Sequence, residues 1–255
     1  MSVVAVIPAR MASTRLPGKP LLKQTGKYLV QHVYEQVGKA PSVDRVIVAT
    51  DDQRIVEAVK AFGGEALLTR ADHPSGTDRV AEVAASLEPG CEIILNVQGD
   101  EPEIEPYSLD RLIDLMRANP DCPTGTLACP LPDREQAGDP NCVKVVLDRR
   151  GRALYFSRGL IPYPRERKSG ADEAATWLLH LGVYAYRRPF LLQFASWPPT
   201  PLEKIERLEQ LRALEHGASI VVGIVDRSAP GIDTPEDYAA FVERSRRGAE
   251  SLGSR

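Results

Sequence analysis

Short runs of β-branched residues alternate with amphipathic helical segments along the N-terminal part of the chain. Residues 3–7 (VVAVI), 45–50 (RVIVAT) and 93–97 (IILNV) are continuous apolar runs, as expected of strands that are buried on both faces of a sheet. Apolar residues at helical spacing lie between these runs, as in 30–37 and 55–62. The alternation predicts an α/β fold with a doubly wound, largely parallel sheet.

The pattern changes beyond Gln98, where strand-like segments follow one another with less helix between them. These segments are 126–129, 143–147, 153–156 and 180–186. Gly151 lies between two of them and predicts an antiparallel hairpin, so we expect a mixed, mostly parallel sheet. Later segments predict further helices at 188–197, 205–216 and 236–247, with a strand at 219–224. Residues 158–175 are rich in charge and lack periodicity, and we expect them to form a loop.

Composition excludes several classes of protein. With 255 residues and 43% hydrophobic content, the chain can bury a core, and a net charge of −3 argues against a nucleic-acid partner. No apolar run approaches the ~18 residues that a membrane span needs, so we expect a cytoplasmic protein with no membrane partner. The four cysteines form no CxxC pair and the four histidines no HExxH motif, which disfavours zinc sites and disulfides.

The loop after the first strand carries three cations. Arg10, Arg15 and Lys19 lie within residues 8–20 at irregular spacing, beside glycine and proline. Backbone N–H groups, guanidinium forks and an ammonium group can converge on a polyphosphate. Neither GxxxxGK[ST] nor GxGxxG is present, so this loop is not a P-loop or a dinucleotide fingerprint. A solvated basic loop is the alternative, and three cations directly after the first strand favour anion binding.

Two acidic turns are candidates for a metal site. Asp100 follows a strand in the sequence NVQGDEP, and Asp233 precedes a helix in GIDTPED. Carboxylate oxygens suit Mg²⁺, which usually keeps waters and substrate phosphates as its other ligands. Taken alone, an aspartate in a turn, such as Asp100, is more often a turn-former than a metal ligand. Thr234 is equally explicable as a helix N-cap. Periodicity alone does not decide whether the two aspartates share one metal ion.

Eight motifs in order give the chain a specific resemblance. They are PARMASTRLPGKP (8–20), TRADHPSGTDR (69–79), NVQGDEP (96–102), DPNCVKVV (139–146), ALYFSR (153–158), HLGVYAYRR (180–188), PLEKIERLEQLR (201–212) and GIDTPED (231–237). Over about residues 3–240 the sequence resembles the 3-deoxy-D-manno-octulosonate (Kdo) cytidylyltransferases. The resemblance implies a nucleotidyltransferase fold, a homodimer, and Mg²⁺-dependent conversion of CTP and Kdo to CMP-Kdo and pyrophosphate for lipopolysaccharide biosynthesis.

The resemblance also implies a domain organisation. A single domain would span residues 1–250, with the nucleotide-binding part at about 1–125 and the sugar-binding and dimerisation part at about 126–225. A C-terminal metal loop and helix would occupy 226–250, and 251–255 would be a tail.

Site residues follow from the same motifs. Arg10, Lys19, Asp100 and Asp233 would be catalytic, and the two aspartates would be the metal ligands. The nucleotide would be bound by Ala9, Arg10, Arg15, Lys19, Arg70, Ser75, Gly76 and Gln98. Kdo would be bound by Thr77, Arg79, Gln98, Arg158, His180, Tyr184, Glu209 and Gln210. Two departures are visible: Tyr28 stands where the family commonly has proline, and Leu179 where a basic residue is frequent.

Other functions stay open on the sequence. A cytidylyltransferase for another acidic sugar, such as a sialic acid or an amino analogue of Kdo, would have similar nucleotide loops. A nucleotide-binding regulator without turnover and a GT-A glycosyltransferase belong to other classes. Lys19 together with Asp100 and Asp233 argues against an inactive site, and Gln98-Gly99-Asp100 is not the Asp-x-Asp motif.

Overall fold

The computed structural model describes residues 2–12, 15–165 and 177–253, with side chains up to residue 247. The chain divides into two compact units. The first consists of Met1–Leu109 and Ala229–Arg255, and the second of Asp110–Ser228. Within the described ranges, no helix is both long enough and apolar enough to cross a membrane.

Strands and helices alternate along the described parts of the chain. The strands are β1 (Ser2–Ala9), β2 (Arg45–Thr50), β3 (Ala66–Leu68), β4 (Cys91–Asn96), β5 (Thr124–Leu131), β6 (Lys144–Leu147), β7 (Ala153–Ser157), β8 (Trp177–Arg187) and β9 (Ile220–Ile224). The helices are α1 (Leu29–Val37), α2 (Gln53–Ala61), α3 (Gly76–Ser86), α4 (Pro106–Ala118), α5 (Arg134–Gly138), α6 (Arg188–Ser196), α7 (Pro201–Glu206), α8 (Gln210–Glu215) and α9 (Pro235–Gly253).

The first unit is built on a parallel sheet in the order β3-β2-β1-β4. Val6 on β1 lies opposite Ile47 of β2 and Asn96 of β4, so β1 is paired on both edges. Its residues 3–7 are buried, as the continuous apolar run predicts. The helices start at side-chain caps: Asp52 accepts the N–H of Arg54 at α2, and Ser75 accepts that of Asp78 at α3.

A small apolar cluster fixes the C-terminal helix in the first unit. Tyr238, Phe241 and Val242 of α9 pack with Ile232 and with the buried Leu16 of the first loop. Because Leu16 and Ile232 are the chain neighbours of Arg15 and Asp233, this cluster determines where two predicted site residues lie.

The second unit contains a mixed sheet. β5 pairs with β9 in parallel and with β8 antiparallel. β6 pairs antiparallel with β7 and with β8. The β6–β7 hairpin predicted at Gly151 is present, and this glycine has a φ of 75°. The α/β class with a mixed, mostly parallel sheet is therefore confirmed.

The helices differ from the sequence predictions in several places. The segment 205–216 forms two helices, α7 and α8, because Arg207 takes a left-handed φ of 54° and the Leu208 N–H bonds the Glu203 carbonyl. Helices α4 and α5 were not predicted, although the buried residues of α4 have helical spacing. These residues are Leu109, Leu112, Ile113 and Met116. Helix α9 continues to Gly253, so the first residues of the expected tail are helical.

The charged segment 158–175 has no assigned helix or strand as far as residue 165. Its remaining residues, from 166, lie outside the described residues.

Candidate active site

A cleft of about 510 Å³ opens in the first unit beyond the carboxyl ends of β1 and β4. Ligands of open parallel sheets bind at this edge. Its walls come from the first loop, from residues around the start of α3, from the turn after β4 and from Asp233. The structure thus brings the predicted phosphate loop and both predicted metal ligands to one cleft.

Lys19 is the centre of this cleft. Its Nζ donates to Oδ2 of Asp100 at 2.9 Å, to the carbonyl of Ile232 at 2.7 Å and to Oδ1 of Asp233 at 3.4 Å. The lysine side chain is 14% exposed, against 33% and 49% for the two aspartates. Two carboxylates from distant parts of the chain therefore converge on one cationic position.

The two arginines of the first loop differ in their contacts. Arg15 donates from Nη2 to Oδ1 of Asp233 at 3.1 Å, which ties the loop to the C-terminal segment. Arg10 is exposed, lines the cleft, and has no hydrogen-bond or ion-pair partner among the described residues. Its guanidinium donors are therefore free for a ligand.

Backbone contacts hold the acidic turns in place. The N–H of Ile232 donates to the carbonyl of Asp100 at 2.9 Å, so the two turns are joined directly. Asp237 accepts the N–H groups of Asp233 and Thr234, and Thr234 Oγ1 accepts that of Asp237 in return. These backbone donors hold the pKa of Asp237 below its ordinary value. Thr234 is thus a helix N-cap, as predicted.

Gly99 allows the turn after β4 to approach β1 closely. A Cβ at this position would lie 2.9 Å from the carbonyl oxygen of Pro8. Any side chain would therefore push Asp100 away from the first loop.

The loop before α3 is held by Glu82. This carboxylate accepts the N–H of Arg70 at 3.2 Å and makes a short contact with Nε2 of His73, which lines the cleft. Burial alone would raise the pKa of Glu82, but the His73 hydrogen bond and the Arg70 N–H lower it below its usual range. Ser75 and Gly76 stand at the start of α3 and also line the cleft. Glu82 was not among the predicted site residues, whereas His73 lies in the segment 70–76 that the resemblance placed beside the nucleotide.

Arg79 is buried, and the protein itself uses much of its guanidinium. Its Nη1 donates to Oγ1 of Thr69 at 2.5 Å and to the carbonyl of Arg70 at 3.2 Å. Its Nη2 lies 3.5 Å from Oδ2 of Asp51, whose other oxygen is buried and unpaired. Arg79 borders the cleft and also supports the 69–70 backbone.

Thr77 and Gln98 lie beside the same polar side chain. Asn96 donates to Thr77 Oγ1 at 3.3 Å and accepts from Gln98 Nε2 at 3.4 Å. Gln98 lines the cleft, whereas Thr77 is buried behind it.

The other predicted sugar residues belong to the second unit, and Arg158 is clamped there. Its guanidinium donates to three backbone carbonyls: Glu206 at 2.7 Å, Pro140 at 2.8 Å and Arg207 at 3.5 Å. Its N–H donates to the carboxylate of Glu206 at 3.0 Å. Two of the five guanidinium N–H donors have no acceptor among the described residues.

His180 and Tyr184 form an aromatic group on β8. His180 meets Phe156 edge to face at 4.9 Å, lies 5.4 Å from the Tyr184 ring, and bonds Thr126 Oγ1 through Nε2 at 3.2 Å. Burial lowers the pKa of His180 to about 3. Burial, followed by the charges of Tyr186 and Glu209, raises the pKa of Tyr184 well above its ordinary value. Both side chains are therefore neutral at neutral pH and act as hydrogen-bonding groups.

Glu209 and Gln210 lie at the start of α8. Glu209 Oε1 is 3.6 Å from Nη2 of Arg212. The Gln210 Nε2 is buried and has no hydrogen-bond partner among the described residues. Because a buried donor without a partner is costly, it indicates a missing acceptor such as a ligand hydroxyl.

The two departures from the expected pattern, Tyr28 and Leu179, are not among the residues that line the cleft. Tyr28 is the N-cap of α1 without a side-chain cap, and its ring lies 4.6 Å below the Lys23 ammonium. Leu179 packs against the apolar cluster of Leu131, Ala137 and Trp177. Its apolar character is explained by this packing.

The donor set at Asp100 and Asp233 fits a hard divalent cation. No group of three or more histidine, cysteine, aspartate or glutamate side chains in the described ranges could hold a metal ion. Two convergent carboxylates nevertheless match Mg²⁺, which takes one or two protein carboxylates and fills its shell with water and phosphate oxygens.

The chain is similar to known proteins over almost its whole length. Residues 4–220 match a family model described as cytidylyltransferase. The 3-deoxy-manno-octulosonate cytidylyltransferase of Syntrophotalea carbinolica is 52% identical over 252 residues, which are 97% of this chain and 100% of that protein. The enzyme of the same name from Rhodopirellula baltica is 51% identical over 96% of this chain and 98% of its own.

Solved structures agree with the sequence matches. A CMP:2-keto-3-deoxy-manno-octonic acid synthetase complexed with CTP superimposes with a TM-score of 0.89 at 45% identity, over 98% of this chain and 100% of that one. A 4-diphosphocytidyl-2C-methyl-D-erythritol synthase from Anaerococcus prevotii has a TM-score of 0.60 at 13% identity, over 95% of this chain and 98% of that one. The second likeness concerns the fold alone.

Proposed function

The chain belongs to the 3-deoxy-manno-octulosonate cytidylyltransferase family, and we propose that it activates Kdo for lipopolysaccharide biosynthesis. It transfers CMP from CTP to the anomeric hydroxyl of Kdo and releases pyrophosphate. The observation that supports this reaction most is the convergence of Asp100 and Asp233 on Lys19, in the cleft that also contains the free Arg10. That arrangement suits a nucleoside triphosphate with a divalent cation.

The cations of the first loop bind the triphosphate. Arg10 offers a guanidinium that no described residue engages, and Arg15 stands at the exposed side of Asp233. Ala9, Arg70, Ser75, Gly76 and Gln98 complete the nucleotide side. The N-terminus of α3 adds backbone N–H groups and the positive end of its dipole.

Lys19 stabilises the charge that accumulates on the leaving pyrophosphate. Phosphoryl transfer depends mainly on positioning and electrostatics, and a group that strengthens its contact toward the transition state raises kcat. In the free protein two carboxylates and one carbonyl hold the ammonium in the cleft where the pyrophosphate charge would develop.

Mg²⁺ is the proposed cofactor, with Asp100 and Asp233 as its protein ligands. When bound, it neutralises phosphate charge and lowers the pKa of a coordinated hydroxyl. The chain holds the two carboxylates close to each other through the hydrogen bond from the Ile232 N–H to the Asp100 carbonyl.

Kdo brings a carboxylate toward a polyanionic nucleotide, so cationic residues near it have a physical task. Two anions ~4 Å apart at an effective dielectric constant of ~20 repel by about 4 kcal/mol. The two free N–H donors of Arg158 suit that carboxylate. His180, Tyr184 and Glu209 supply neutral and anionic hydrogen-bonding groups for hydroxyls, and the unpaired Gln210 amide gains an acceptor. Thr77, Arg79 and Gln98 stay proposed as Kdo-binding residues.

A homodimer and a cytoplasmic location complete the proposal. Several apolar side chains of the second unit are exposed, including Leu154 at 62%, Tyr163 at 72% and Ile205 at 77%. If these side chains form one contiguous patch, that patch would favour a protein interface. Light scattering should give twice the 28.0 kDa chain mass, and Leu154→Asp with Ile205→Asp should shift it toward the monomer. All four cysteines are free, which suits the reducing cytoplasm.

The reaction is tested by product analysis with CTP, Mg²⁺ and a panel of sugars. Kdo should give CMP-Kdo and pyrophosphate, whereas glucose 1-phosphate should give no product, because unsatisfied buried polar groups cost ~1–3 kcal/mol each. Competition between Kdo and a sialic acid at equal concentrations identifies the preferred sugar. A dominant CMP-sialate product would refute the Kdo assignment and retain the cytidylyltransferase chemistry. Absence of any CMP-sugar would refute both.

A further inference from the structure

A lysine in the second unit is completely buried and forms no ion pair with a described residue. Lys144 of β6 has 0% exposed surface. Its Nζ donates to the backbone carbonyls of Asp139 at 2.9 Å, Cys142 at 2.5 Å and Arg158 at 2.9 Å. All three ammonium donors are used, and all three acceptors are backbone oxygens.

Burying this ammonium is costly, so its position needs a reason. Burial lowers the pKa of Lys144 because it disfavours the charged form. An apolar side chain of similar length would fill the same space without that cost. What only the ammonium provides is a simultaneous bond to two separate segments, the turn at 139–142 and Arg158, which directly follows β7.

Arg158 closes a ring of contacts with the same turn. Its guanidinium donates to the carbonyl of Pro140 at 2.8 Å, and Pro140 follows Asp139, which accepts from Lys144. The backbone of Arg158 is thus held by Lys144 from one side, and its side chain by Pro140 from the other. Glu206 adds contacts to both its N–H and its Nε. Arg158 is therefore held at its backbone and at its guanidinium.

We propose that Lys144 is the positioning residue that fixes Arg158, so that the two unused guanidinium N–H groups of Arg158 point at the carboxylate of the acidic sugar. This inference rests on the proposed function. Lys144 has no exposed surface and touches no substrate. It acts through the place that it gives to Arg158.

Steady-state kinetics of Lys144→Met test this role. A positioning residue for the sugar carboxylate changes binding of that substrate alone, so KM for Kdo should rise about tenfold or more while kcat and KM for CTP stay within about twofold. Equal losses for both substrates, or no change in KM for Kdo, would overturn the proposal.

A double-mutant cycle with Arg158→Ala separates positioning from general stability. If Lys144 acts through Arg158, then Lys144→Met should add less than about twofold to KM for Kdo once Arg158 is alanine. A purely structural role predicts the same additional loss in both backgrounds, and that result would refute positioning.

Hydrogen exchange supplies a measurement that needs no substrate. In Lys144→Met, amides of residues 139–143 and 157–160 should exchange about tenfold faster, while those of 3–9 in the first unit stay unchanged. Unchanged exchange in the first two segments would overturn the proposal even in an inactive protein. A wild-type chain that makes no CMP-Kdo while the variant still loses protection would refute the proposed function instead.

Lys144→Gln is the second variant, for use if the methionine variant does not fold. It keeps two N–H donors on a shorter side chain, so it should show a smaller rise in KM for Kdo and a smaller loss of protection. A glutamine variant identical to the wild type in both measurements would contradict the role given to Lys144.

Discussion

Replacing Lys19 by methionine should tighten divalent-cation binding and slow turnover at the same time. In the free protein, the ammonium occupies the position where two carboxylates converge, 2.9 Å from Asp100 and 3.4 Å from Asp233. It therefore competes with a divalent cation for the same oxygens. Methionine keeps the length of the side chain and removes that competitor.

The size of the effect follows from Coulomb's law. A unit charge ~4 Å from a divalent cation is repelled by about 2 kcal/mol at the dielectric constant of water and by about 8 kcal/mol at an effective value of 20. The lysine is mostly buried, but the aspartates are one third to one half exposed, so solvent and salt screen the interaction. The lower figure is the safer guide, and it corresponds to about tenfold or more in affinity. Turnover should fall about 10²- to 10³-fold, the cost of losing one transition-state charge contact.

The assay is a titration with Mn²⁺ in the absence of nucleotide, followed by electron paramagnetic resonance, alongside kcat with CTP, Mg²⁺ and Kdo. Lys23→Met is the matched control, because it removes the same charge from an exposed side chain whose contact is the Tyr28 ring. Unchanged or weaker Mn²⁺ binding in Lys19→Met would refute the shared position of ammonium and metal. A control that also tightens binding would show that net charge alone is responsible.

Four further predictions concern single side chains. Asp237→Ala should lower the free energy of unfolding by about 1 kcal/mol, because the Asp237 carboxylate caps α9. Asp233→Ala should keep the melting temperature of the wild type and lose turnover. The reverse pattern would exchange the roles of the two aspartates. Backbone donors lower the pKa of Asp237 in the folded protein. The stability that its carboxylate contributes is therefore complete above the ordinary pKa of 3.8 and is lost as the pH falls through the folded-state pKa. Acid denaturation of Asp237→Asn, compared with the wild type, measures this loss. Arg79→Met should lower the free energy of unfolding, measured with denaturant, by about 3 kcal/mol, because it breaks a buried network. The control Arg70→Met changes an exposed side chain and should cost almost nothing. Equal stability of the two variants would show that Arg79 is free for the sugar. Gln210→Met should leave the free energy of unfolding unchanged or raise it by up to about 1 kcal/mol, since it removes a buried donor without a partner among the described residues. The same variant should raise KM for Kdo about tenfold. A large loss of stability would mean that the amide has a partner in the folded protein.

Local patterns predicted the elements, because periodicity reflects burial directly. The runs at 3–7 and 45–50 became the central strands, and Gly151 marked a hairpin whose turn needs a positive φ. The segment 205–216 shows where periodicity fails. Apolar residues continue at helical spacing across Arg207, so the pattern cannot reveal a left-handed residue between two helices.

The candidate site was predictable in its residue types and less so in its contacts. Asp100 and Asp233 suggested a metal site, but only the packing of α9 against Leu16 and Ile232 brings them to Lys19. The sequence shows that an arginine is charged but does not show which acceptors its guanidinium binds. The Arg158 guanidinium donates to three backbone carbonyls, and no sequence motif predicts those acceptors.

The cleft joins residues that lie far apart in the sequence, and this has a consequence during synthesis on the ribosome. Arg15 and Lys19 are made more than 200 residues before the Ile232 carbonyl and Asp233 that they bind. A nascent chain that has not reached residue 233 contains the proposed phosphate-binding cations without the second carboxylate. Such a chain should bind nucleotides without transferring CMP, so catalytic competence should begin only after Asp233 has been added.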